Sequence, residues 1–298
     1  MRTADGAELL LLAAIWGAFF LMMRVAVPEF GPLPMIALRT GIAAMVLLPV
    51  IFYRRQWPLL LRNWRPLTVL GATNSALPFA LFAFAIQNMS AGVASILNAT
   101  APMFAAIVAW RWLGERPTAA RSIGLAVGFG GVLILVGGRS GFQFGSEALA
   151  SALVLAATFS YGFAANYARV HAKQIDSLAV AAGSQLVATL MLLPLAFAAL
   201  PTAMPGRMAW GAATLLGVVC TGLAYVLYFR LIARIGATRA IAVTFLIPAF
   251  GMLWGWIFLG EAVTPGMIGG ALLILCGTAL TAGLLKWRPG NQAAKLDA

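Results

Sequence analysis

Apolar runs of about twenty residues recur along the whole chain and alternate with short polar segments that are rich in arginine. A run of this length crosses the roughly 30 Å hydrocarbon core of a bilayer as an α-helix, and a helix satisfies its backbone hydrogen bonds without water. The pattern therefore predicts an all-α integral membrane protein. Its ten transmembrane helices are expected at about residues 8–27, 33–53, 66–88, 92–112, 119–137, 147–167, 177–200, 210–231, 238–259 and 264–286.

The chain contains the same helical unit twice. Positions that recur at a constant offset of 146 are Pro102 and Pro248, Glu115 and Glu261, Gly124 and Gly270, and Gly131 and Gly277. Nearer the N-terminus, Trp16-Gly17 matches Tyr161-Gly162 at an offset of 145. Spans 1–5 are therefore expected to repeat as spans 6–10, in two domains, 1–141 and 142–298. Because five is odd, the second domain must cross the membrane in the opposite direction, as in the inverted repeats of many secondary transporters.

The composition agrees with a membrane location. Of the 298 residues, 62% are hydrophobic and 9% are charged, whereas a soluble domain carries about a quarter charged residues. The two cysteines, Cys220 and Cys276, lie in apolar runs without the spacing of metal ligands, so neither a metal nor a cofactor is expected. Span 1 follows Arg2 but lacks a small-x-small cleavage site, so we expect it to be retained.

The distribution of basic residues predicts the orientation of the chain. With the N-terminus in the cytoplasm, the cytoplasmic helix ends and loops hold sixteen of the 20 lysines and arginines, in accordance with the positive-inside rule. The opposite side keeps Arg24, Arg39, Arg139 and Arg207. Both termini are therefore expected in the cytoplasm. The net charge of +12 reports this topology and not a nucleic-acid partner.

Several motifs carry a family resemblance. They are Trp16-Gly17 in span 1, Pro34 and Arg39 in span 2, the run from Ala224 through Pro248 to Glu261, and the segment 269–277. On these motifs the chain resembles the drug/metabolite transporter superfamily, in its ten-helix EamA-type branch, over nearly its whole length. The family includes exporters of amino acids and other metabolites. The resemblance therefore implies a transporter, expected in a bacterial inner membrane, without defining its substrate.

Three prolines lie deep inside predicted spans, namely Pro78, Pro102 and Pro248. A proline in a helix leaves the carbonyl four residues before it unpaired, and these residues are Asn74, Asn98 and Thr244, all polar. Irregular backbone is tolerated in a membrane where it lines a cavity or is buried in protein. One interpretation is that the three kinks surround a central substrate cavity. The alternative is that the prolines shape helix packing while the polar side chains join neighbouring helices.

Aromatic and hydroxyl side chains provide further candidates for substrate contacts. In span 8, Thr221, Tyr225 and Tyr228 share one helical face. The repeat matches Tyr225 with Phe79 and Trp16 with Tyr161, and Thr158 lies one turn from Tyr161. These groups suit an amphipathic substrate such as an amino acid or a nucleoside. Alternatively they form interhelical hydrogen bonds, and for Tyr228 an anchor at the membrane interface is favoured.

The repeated Gly-Glu pairs are interpreted as structural. Gly114 and Gly260 suit left-handed ends of spans 4 and 9, and Thr118 and Thr264 suit the N-caps of spans 5 and 10. Glu115 and Glu261 would then face the positive end of the helix that follows each of them. Six glycines of spans 5 and 10 would allow close helix packing, namely Gly124, Gly128, Gly131, Gly266, Gly270 and Gly277.

Charged residues are absent from the centres of the predicted spans, which narrows the substrate class. A central carboxylate commonly exchanges protons for cationic drugs, and the acid nearest to a central position here is Glu8, at the cytoplasmic mouth. The pattern therefore argues against a multidrug cation/proton antiporter. The lack of a central Lys or Arg similarly argues against a phosphorylated substrate. Arg39 is the possible exception, although reaching the outer surface or holding a carbonyl is favoured over binding substrate.

The leading hypothesis is a secondary transporter that moves a small polar or zwitterionic, amino-acid-like metabolite across the inner membrane by alternating access, in the direction of export. The alternatives are a flippase of a lipid-linked substrate and a non-transporting membrane scaffold. An enzyme is not expected, because the single histidine, His171, falls in a charged loop and no acid is central. The expected partners are a small-molecule substrate and the lipid bilayer, without nucleic acid. The oligomeric state is left open, with a monomer included.

Overall fold

The computed structural model describes residues 3–140 and 145–284, and the regular elements in these ranges are all helices. The ten main helices are α1 Thr3–Phe30, α2 Pro32–Tyr53, α3 Trp64–Ala85, α4 Ala91–Leu113, α5 Ala119–Ser140, α6 Ser146–His171, α7 Ser177–Ala198, α8 Arg207–Ile235, α9 Val243–Leu259 and α10 Pro265–Thr281. Eight are long and apolar enough to cross a membrane, and α9 and α10 are shorter apolar helices. The predicted ten-helix membrane fold is confirmed. The predicted boundary between 141 and 142, Arg2 and the expected end of span 10 at 286 lie outside the described residues.

Two local features differ from the sequence-based expectation. A short helix, Trp57–Arg62, occupies the predicted loop between α2 and α3, and its Leu60 is buried. His171 is the last residue of α6 and does not lie in a loop. Its ring stacks on that of Tyr167, one turn earlier, with centroids 4.3 Å apart. This stacking at the i, i+4 spacing explains why α6 extends beyond the apolar run that marked the span.

The pairing of the helices follows the repeat. The most extensive contacts join α5 with α10 and α2 with α7, and each of these pairs consists of a helix and its own repeat counterpart. The contact of α1 with α9 is matched by that of α6 with α4, and the contact of α1 with α8 by that of α6 with α3. Exchanging the first five helices for the last five therefore leaves the set of main contacts unchanged, as expected for two copies of one unit.

The closest of these contacts depends on glycine. A Cβ atom placed on Gly124 would lie 2.7 Å from the carbonyl oxygen of Gly277, and one placed on Gly277 would meet the backbone of Gly128. No larger side chain fits at these positions unless α5 and α10 move apart. The prediction of close helix packing is therefore confirmed for Gly124, Gly128, Gly131, Gly270 and Gly277, whereas a Cβ atom on Gly266 would meet only the hydroxyl of Thr264, at 3.9 Å.

Two π-helical turns interrupt the regular helices at equivalent places. They comprise Ala72–Ala76 in α3 and Val218–Leu223 in α8, and their starting positions are related by the repeat offset of 146. A π turn shifts the hydrogen-bonding register, and neighbouring hydroxyls satisfy displaced carbonyls here. Ser160 of α6 donates to the carbonyl of Thr73 at 2.6 Å, and Thr221 donates to the carbonyl of Leu216 at 2.8 Å. Such turns are frequent at functional sites.

Helix α4 is also interrupted, and the equivalent span of the second repeat has a break at a different position, just before α9. In α4, the helix stops at Asn98 and resumes at Ala101, and Pro102 lies in the first turn of the second half, where its missing N–H costs nothing. Thr278 of α10 donates to the carbonyl of Ala99 at 2.9 Å and so satisfies the break. In the second repeat the break lies at residues 241–242, between a short helix Ala237–Ala240 and α9, and Pro248 lies inside the helix that follows.

Candidate substrate-binding site

A cavity of about 480 Å³ lies between the two repeats, within the range of roughly 300–1,000 Å³ that small-molecule sites occupy. Helices α1, α2, α3, α4, α6, α8 and α9, together with the turn before α9, contribute to its wall. Its aromatic residues are Trp16, Phe19, Phe20, Phe79, Phe82, Tyr161, Tyr225 and Tyr228, and its polar residues are Arg39, Asn74, Asn98, Cys220, Thr221 and Thr244. Ala99, Ala101, Pro102, Ala105, Ala165, Ile241 and Ile247 complete the wall.

Nine of the twelve residues that the sequence proposed as substrate contacts line this cavity, namely Trp16, Asn74, Phe79, Asn98, Pro102, Tyr161, Thr221, Tyr225 and Thr244. Asn74 belongs to one π turn and Thr221 to the other, while Asn98 and Thr244 flank the breaks of α4 and α9. The side chain of Asn74 interacts with the hydroxyl of Tyr225 across the cavity wall. Irregular helix turns therefore bring these polar side chains together.

The other three proposed residues do not line the cavity. Pro78 is buried in the first turn of the helical segment after the π turn, and Pro248 is buried in α9, where its carbonyl lies 3.5 Å from the hydroxyl of Ser95. Thr158 is fully buried and joins the break of α4 to α6, because its hydroxyl lies 3.1 Å from that of Thr100 and donates to the carbonyl of Leu155. Packing and helix-to-helix hydrogen bonds occupy these residues.

Two aromatic pairs related by the repeat form opposite parts of the wall. The rings of Trp16 and Tyr228 have centroids 5.1 Å apart, and those of their counterparts Tyr161 and Phe82 lie 6.2 Å apart. Tyr161 also contacts the ring of Phe79 at 6.4 Å. The sequence favoured a role for Tyr228 at the membrane interface, whereas the structure places it in the cavity wall, where its ring packs against that of Trp16.

Arg39 lies deep in the protein, with 5% of its surface exposed. Its Nε donates to the hydroxyl of Thr221 at 3.0 Å. Its guanidinium carbon lies 3.7 Å from the ring centroid of Phe79 and 4.5 Å from that of Phe19. The group is therefore held between two aromatic rings, whose faces attract a cation.

This position corrects two expectations about Arg39. Its side chain is buried and donates to a hydroxyl, so it does not reach the outer surface, and the protein interior does contain a cation at the cavity wall. A usable signal was present in the sequence. Helix α2 starts at Pro32, so Arg39 lies seven residues, or about 10 Å, along the helix from its end. An arginine whose side chain only extends to the membrane interface normally lies closer to the end of its helix.

Other cavity residues were also missed. Phe82 could have been found from Tyr228 by the repeat offset, since both positions belong to the same face of equivalent helices. Cys220 is likewise the repeat counterpart of Asn74 and was interpreted as core packing. Nothing in the sequence except hydrophobicity marks four further cavity residues, Phe19, Phe20, Ile241 and Ile247. Hydrophobicity is common to membrane-facing and core positions, so it does not identify a cavity residue.

The two faces of the helix bundle differ. We call the face at which α1 begins the start face and the face at which α1 ends the end face. At the end face, the carboxylate of Glu261 accepts hydrogen bonds from the backbone N–H groups of Ala91 at 2.9 Å and Gly92 at 3.2 Å, and so caps α4. Arg24 lies 3.9 Å from the same carboxylate and donates to the carbonyl of Ile86 at 2.9 Å. The Glu261 side chain is 13% exposed.

The equivalent acid at the start face is in a more open environment. Glu115 pairs with Arg169, the counterpart of Arg24, at 2.7 Å, and the Glu115 side chain is 45% exposed. The expectation that each glutamate faces the helix after it is therefore wrong for Glu261, which caps a helix of the other repeat. The glycine ends at Gly114 and Gly260 and the N-cap of Thr264 are confirmed.

Helices α4 and α9 pack closely toward the end face and part toward the start face. The first half of α4 contacts α9, and Ser95 fits against Gly251, where a Cβ atom would collide with its side chain. The repeat counterparts of these two residues are Ile241 and Ala105, and both line the cavity. The cavity therefore extends between α4 and the start of α9 on the start-face side, whereas the same pair of helices is closed on the other side.

Ten apolar helices arranged around a central cavity of aromatic and polar side chains define a membrane transport protein. The EamA-like transporter family matches residues 6–137 and, a second time, residues 148–283, so the chain belongs to the EamA-like transporter family. One match lies in each half of the chain. Among the residues that the structure describes, no group of three or more metal-ligating side chains occurs.

The similarity of individual proteins to this chain supports the assignment to this family. The chain is 27% identical over 267 residues to "Uncharacterized transporter YoaV" of Bacillus subtilis (strain 168), covering 88% of this chain and 91% of that protein. It is 27% identical over 310 residues to "Probable amino-acid metabolite efflux pump" of Escherichia coli (strain K12), covering 97% and 98%. A solved crystal structure superposes with a TM-score of 0.68 at 18% identity, over 100% of this chain and 99% of that chain, and supports the fold.

Proposed function

We propose that this chain is a secondary transporter that exports a small, zwitterionic, amino-acid-like metabolite by alternating access. The observation that carries the proposal is that equivalent residues of both repeats line one cavity. The equivalent pairs are Trp16 and Tyr161, Asn74 and Cys220, Phe79 and Tyr225, Phe82 and Tyr228, and Asn98 and Thr244. A substrate site at the interface of two inverted repeats stays in place while either repeat rocks to open one face.

The difference between the two faces supports this mechanism. At the end face α4 is closed on α9 and capped by Glu261, whereas at the start face the equivalent surfaces are parted. Because the repeats are equivalent in sequence, the opposite arrangement uses the same kinds of contact. In that state the beginning of α9 closes on α4. Glu115 then plays at the start face the part that Glu261 plays at the end face here.

The proposed orientation puts both termini and the start face in the cytoplasm of a bacterial inner membrane. The state described here then opens toward the cytoplasm, the side from which an exporter takes its substrate. The boundary between the repeats is proposed at 141/142. The E. coli relative named as an amino-acid metabolite efflux pump supports the direction and the substrate class.

Counterflow in liposomes tests this function. The purified chain is reconstituted, the liposomes are loaded with one unlabelled compound, and entry of the same radiolabelled compound is followed for a panel of amino acids and nucleosides. Saturable counterflow of amino acids is the expected result. A protein that is folded and reconstituted but moves no amino acid would overturn the proposed substrate class.

Two substitutions connect transport to the cavity. Asn98→Val and Thr244→Val each remove a polar group from the wall, and each is expected to slow counterflow between about twofold and tenfold, the equivalent of one lost hydrogen bond. Thr214→Val is the control, because Thr214 is exposed on α8 and bonds only within its own helix. Wild-type rates in both cavity variants would contradict the assignment of this cavity as the substrate site.

A further inference from the structure

Arg39 has hydrogen-bonding capacity that the described part of the protein does not use. Its Nη1 atom is buried and has no hydrogen-bond partner, and its Nε is held by Thr221. Among the described residues, ion pairs join Arg24, Arg169, Arg230 and Arg234 to acids at the two faces, and Arg39 takes part in none of these pairs. A guanidinium remains protonated in proteins. The cavity wall therefore carries a permanent positive charge with an unsatisfied donor.

Such a group is costly unless something pairs with it. Leaving a buried charge uncompensated is strongly unfavourable, and the two flanking rings, Phe79 and Phe19, offset part of this cost through their negative faces. The rings lie against the guanidinium carbon, and Nη1 still has no hydrogen-bond partner among the described residues. A planar fork of N–H donors matches the two oxygens of a carboxylate and can bind both of them.

We propose that Arg39 binds the carboxylate of the transported substrate, and that the substrate class is therefore a carboxylate with an apolar or aromatic side group. This inference rests on the proposed transport function and adds the group that the cavity recognises. One arginine compensates one negative charge, which favours a monoanionic carboxylate over a phosphate. The aromatic walls formed by Trp16 with Tyr228 and by Tyr161 with Phe82 then accommodate the side group.

The test compares two aromatic compounds that carry a free carboxylate with two that lack one. The full chain in liposomes is assayed by counterflow with L-phenylalanine, N-acetyl-L-phenylalanine, L-phenylalaninamide and 2-phenylethylamine. The wild type is expected to move the two carboxylates at least about tenfold faster than the amide and the amine, because a charged hydrogen bond contributes about 1.5–3 kcal/mol. This comparison needs no variant, so it holds even where a substitution impairs folding.

Arg39→Gln then separates binding from structural support. It is expected to slow counterflow of the two carboxylates by about tenfold or more and to leave the amide and the amine within about twofold. Arg39→Lys restores the charge but not the planar fork, and is expected to recover part of the carboxylate rate. Arg207→Gln, at an exposed arginine at the start of α8, is the matched control and is expected to behave as the wild type.

Each contrary outcome has a distinct meaning. A wild type that moves the amide and the amine as fast as the carboxylates is a transporter that does not recognise a carboxylate, which overturns this inference and leaves transport intact. An Arg39→Gln variant that slows all four compounds equally assigns Arg39 to packing against Phe79 and overturns the inference as well. A wild type that moves neither these carboxylates nor any other amino acid of the panel overturns both this inference and the proposed function.

Discussion

The indole ring of Trp16 and the phenol ring of Tyr228 lie 5.1 Å apart between centroids, at an interplanar angle of 58°. Their repeat counterparts, Tyr161 and Phe82, lie 6.2 Å apart at 30°. The duplicated helices therefore place one aromatic pair on each side of the same cavity. The two pairs differ in chemistry. One combines the indole of Trp16 with the phenol of Tyr228, and the other combines the phenol of Tyr161 with the phenyl ring of Phe82.

Removing the ring of Tyr228 is expected to weaken substrate binding more than turnover. Tyr228→Ala takes away one aromatic wall, and an aromatic contact contributes about 0.5–1.5 kcal/mol beyond burial. We therefore expect the half-saturating concentration of an aromatic amino acid to rise between about twofold and tenfold, with the maximal rate little changed. Counterflow measured over a range of substrate concentrations checks this.

The matched control is Tyr53→Ala, because Tyr53 ends α2 and is 90% exposed. Tyr228→Phe provides a second comparison, since it keeps the ring and removes the hydroxyl that Phe82 also lacks. An unchanged half-saturating concentration in Tyr228→Ala would mean that this ring packs against Trp16 without contacting the substrate.

The fold could be predicted in large part because the duplication is visible in the sequence. The apolar runs give ten spans, the offset that relates Pro102 to Pro248 divides them into two units, and the odd number in each unit gives the inversion. The helix interruptions could not be placed in the same way. The π turn of α3 precedes Pro78, but the equivalent turn of α8 is followed by Ala224, so no proline marks it. In the second repeat the break falls before α9, and Pro248 lies inside a helix.

The cavity lining was predictable where polarity stands out against an apolar background, as for Asn98 and Thr244. It was not predictable where a partner from another helix decides the role of a residue. The guanidinium of Arg39 lies against the rings of Phe19 and Phe79, which offset part of the cost of burying its charge, and those rings come from α1 and α3. Glu261 caps α4 of the other repeat, although sequence proximity suggested the helix that follows it.

The contact between α5 and α10 is expected to be sensitive to a single methyl group. In Gly277→Ala the new Cβ would overlap the backbone of Gly128, which forces the helices apart and costs about 1–3 kcal/mol. Thermal unfolding of the purified protein in detergent should show a lower Tm. Gly269→Ala is the control on the same helix, because a Cβ at Gly269 meets nothing within 4 Å. Equal Tm values in the two variants would contradict the role given to this contact.

Transport is expected to be indifferent to a proton gradient. The acids of the described chain lie near helix ends, and Glu8, the one closest to the cavity by sequence, pairs with Arg230 at 2.9 Å and also with Arg234. Proton-coupled exchange generally depends on an acid within the membrane. Imposing a pH difference across liposomes, with the membrane potential clamped, should change the initial rate of counterflow by less than about twofold, and Glu8→Gln should respond in the same way. A rate that rises with the gradient in the wild type and not in Glu8→Gln would identify Glu8 as a coupling residue.

The asymmetry of the two glutamates gives a prediction about the resting conformation. Glu261 stabilises the closed end face by capping α4, whereas its counterpart Glu115 is paired at a solvent-exposed position. An acidic cap of this kind contributes about 0.5–2 kcal/mol. Glu261→Gln should therefore shift the population severalfold toward the state that opens the end face, while Glu115→Gln should not.

Thiol labelling measures this shift at Ser95, which is fully buried against Gly251 in the closed arrangement. In a background without Cys220 and Cys276, Ser95→Cys should react slowly with a membrane-impermeant maleimide added at the end face. Adding Glu261→Gln should raise the labelling rate severalfold, because Ser95 becomes accessible only when α4 separates from α9. If Ser95→Cys is labelled at the same rate in combination with Glu261→Gln as with Glu115→Gln, the packing of α4 on α9, and not the carboxylate of Glu261, keeps the end face closed.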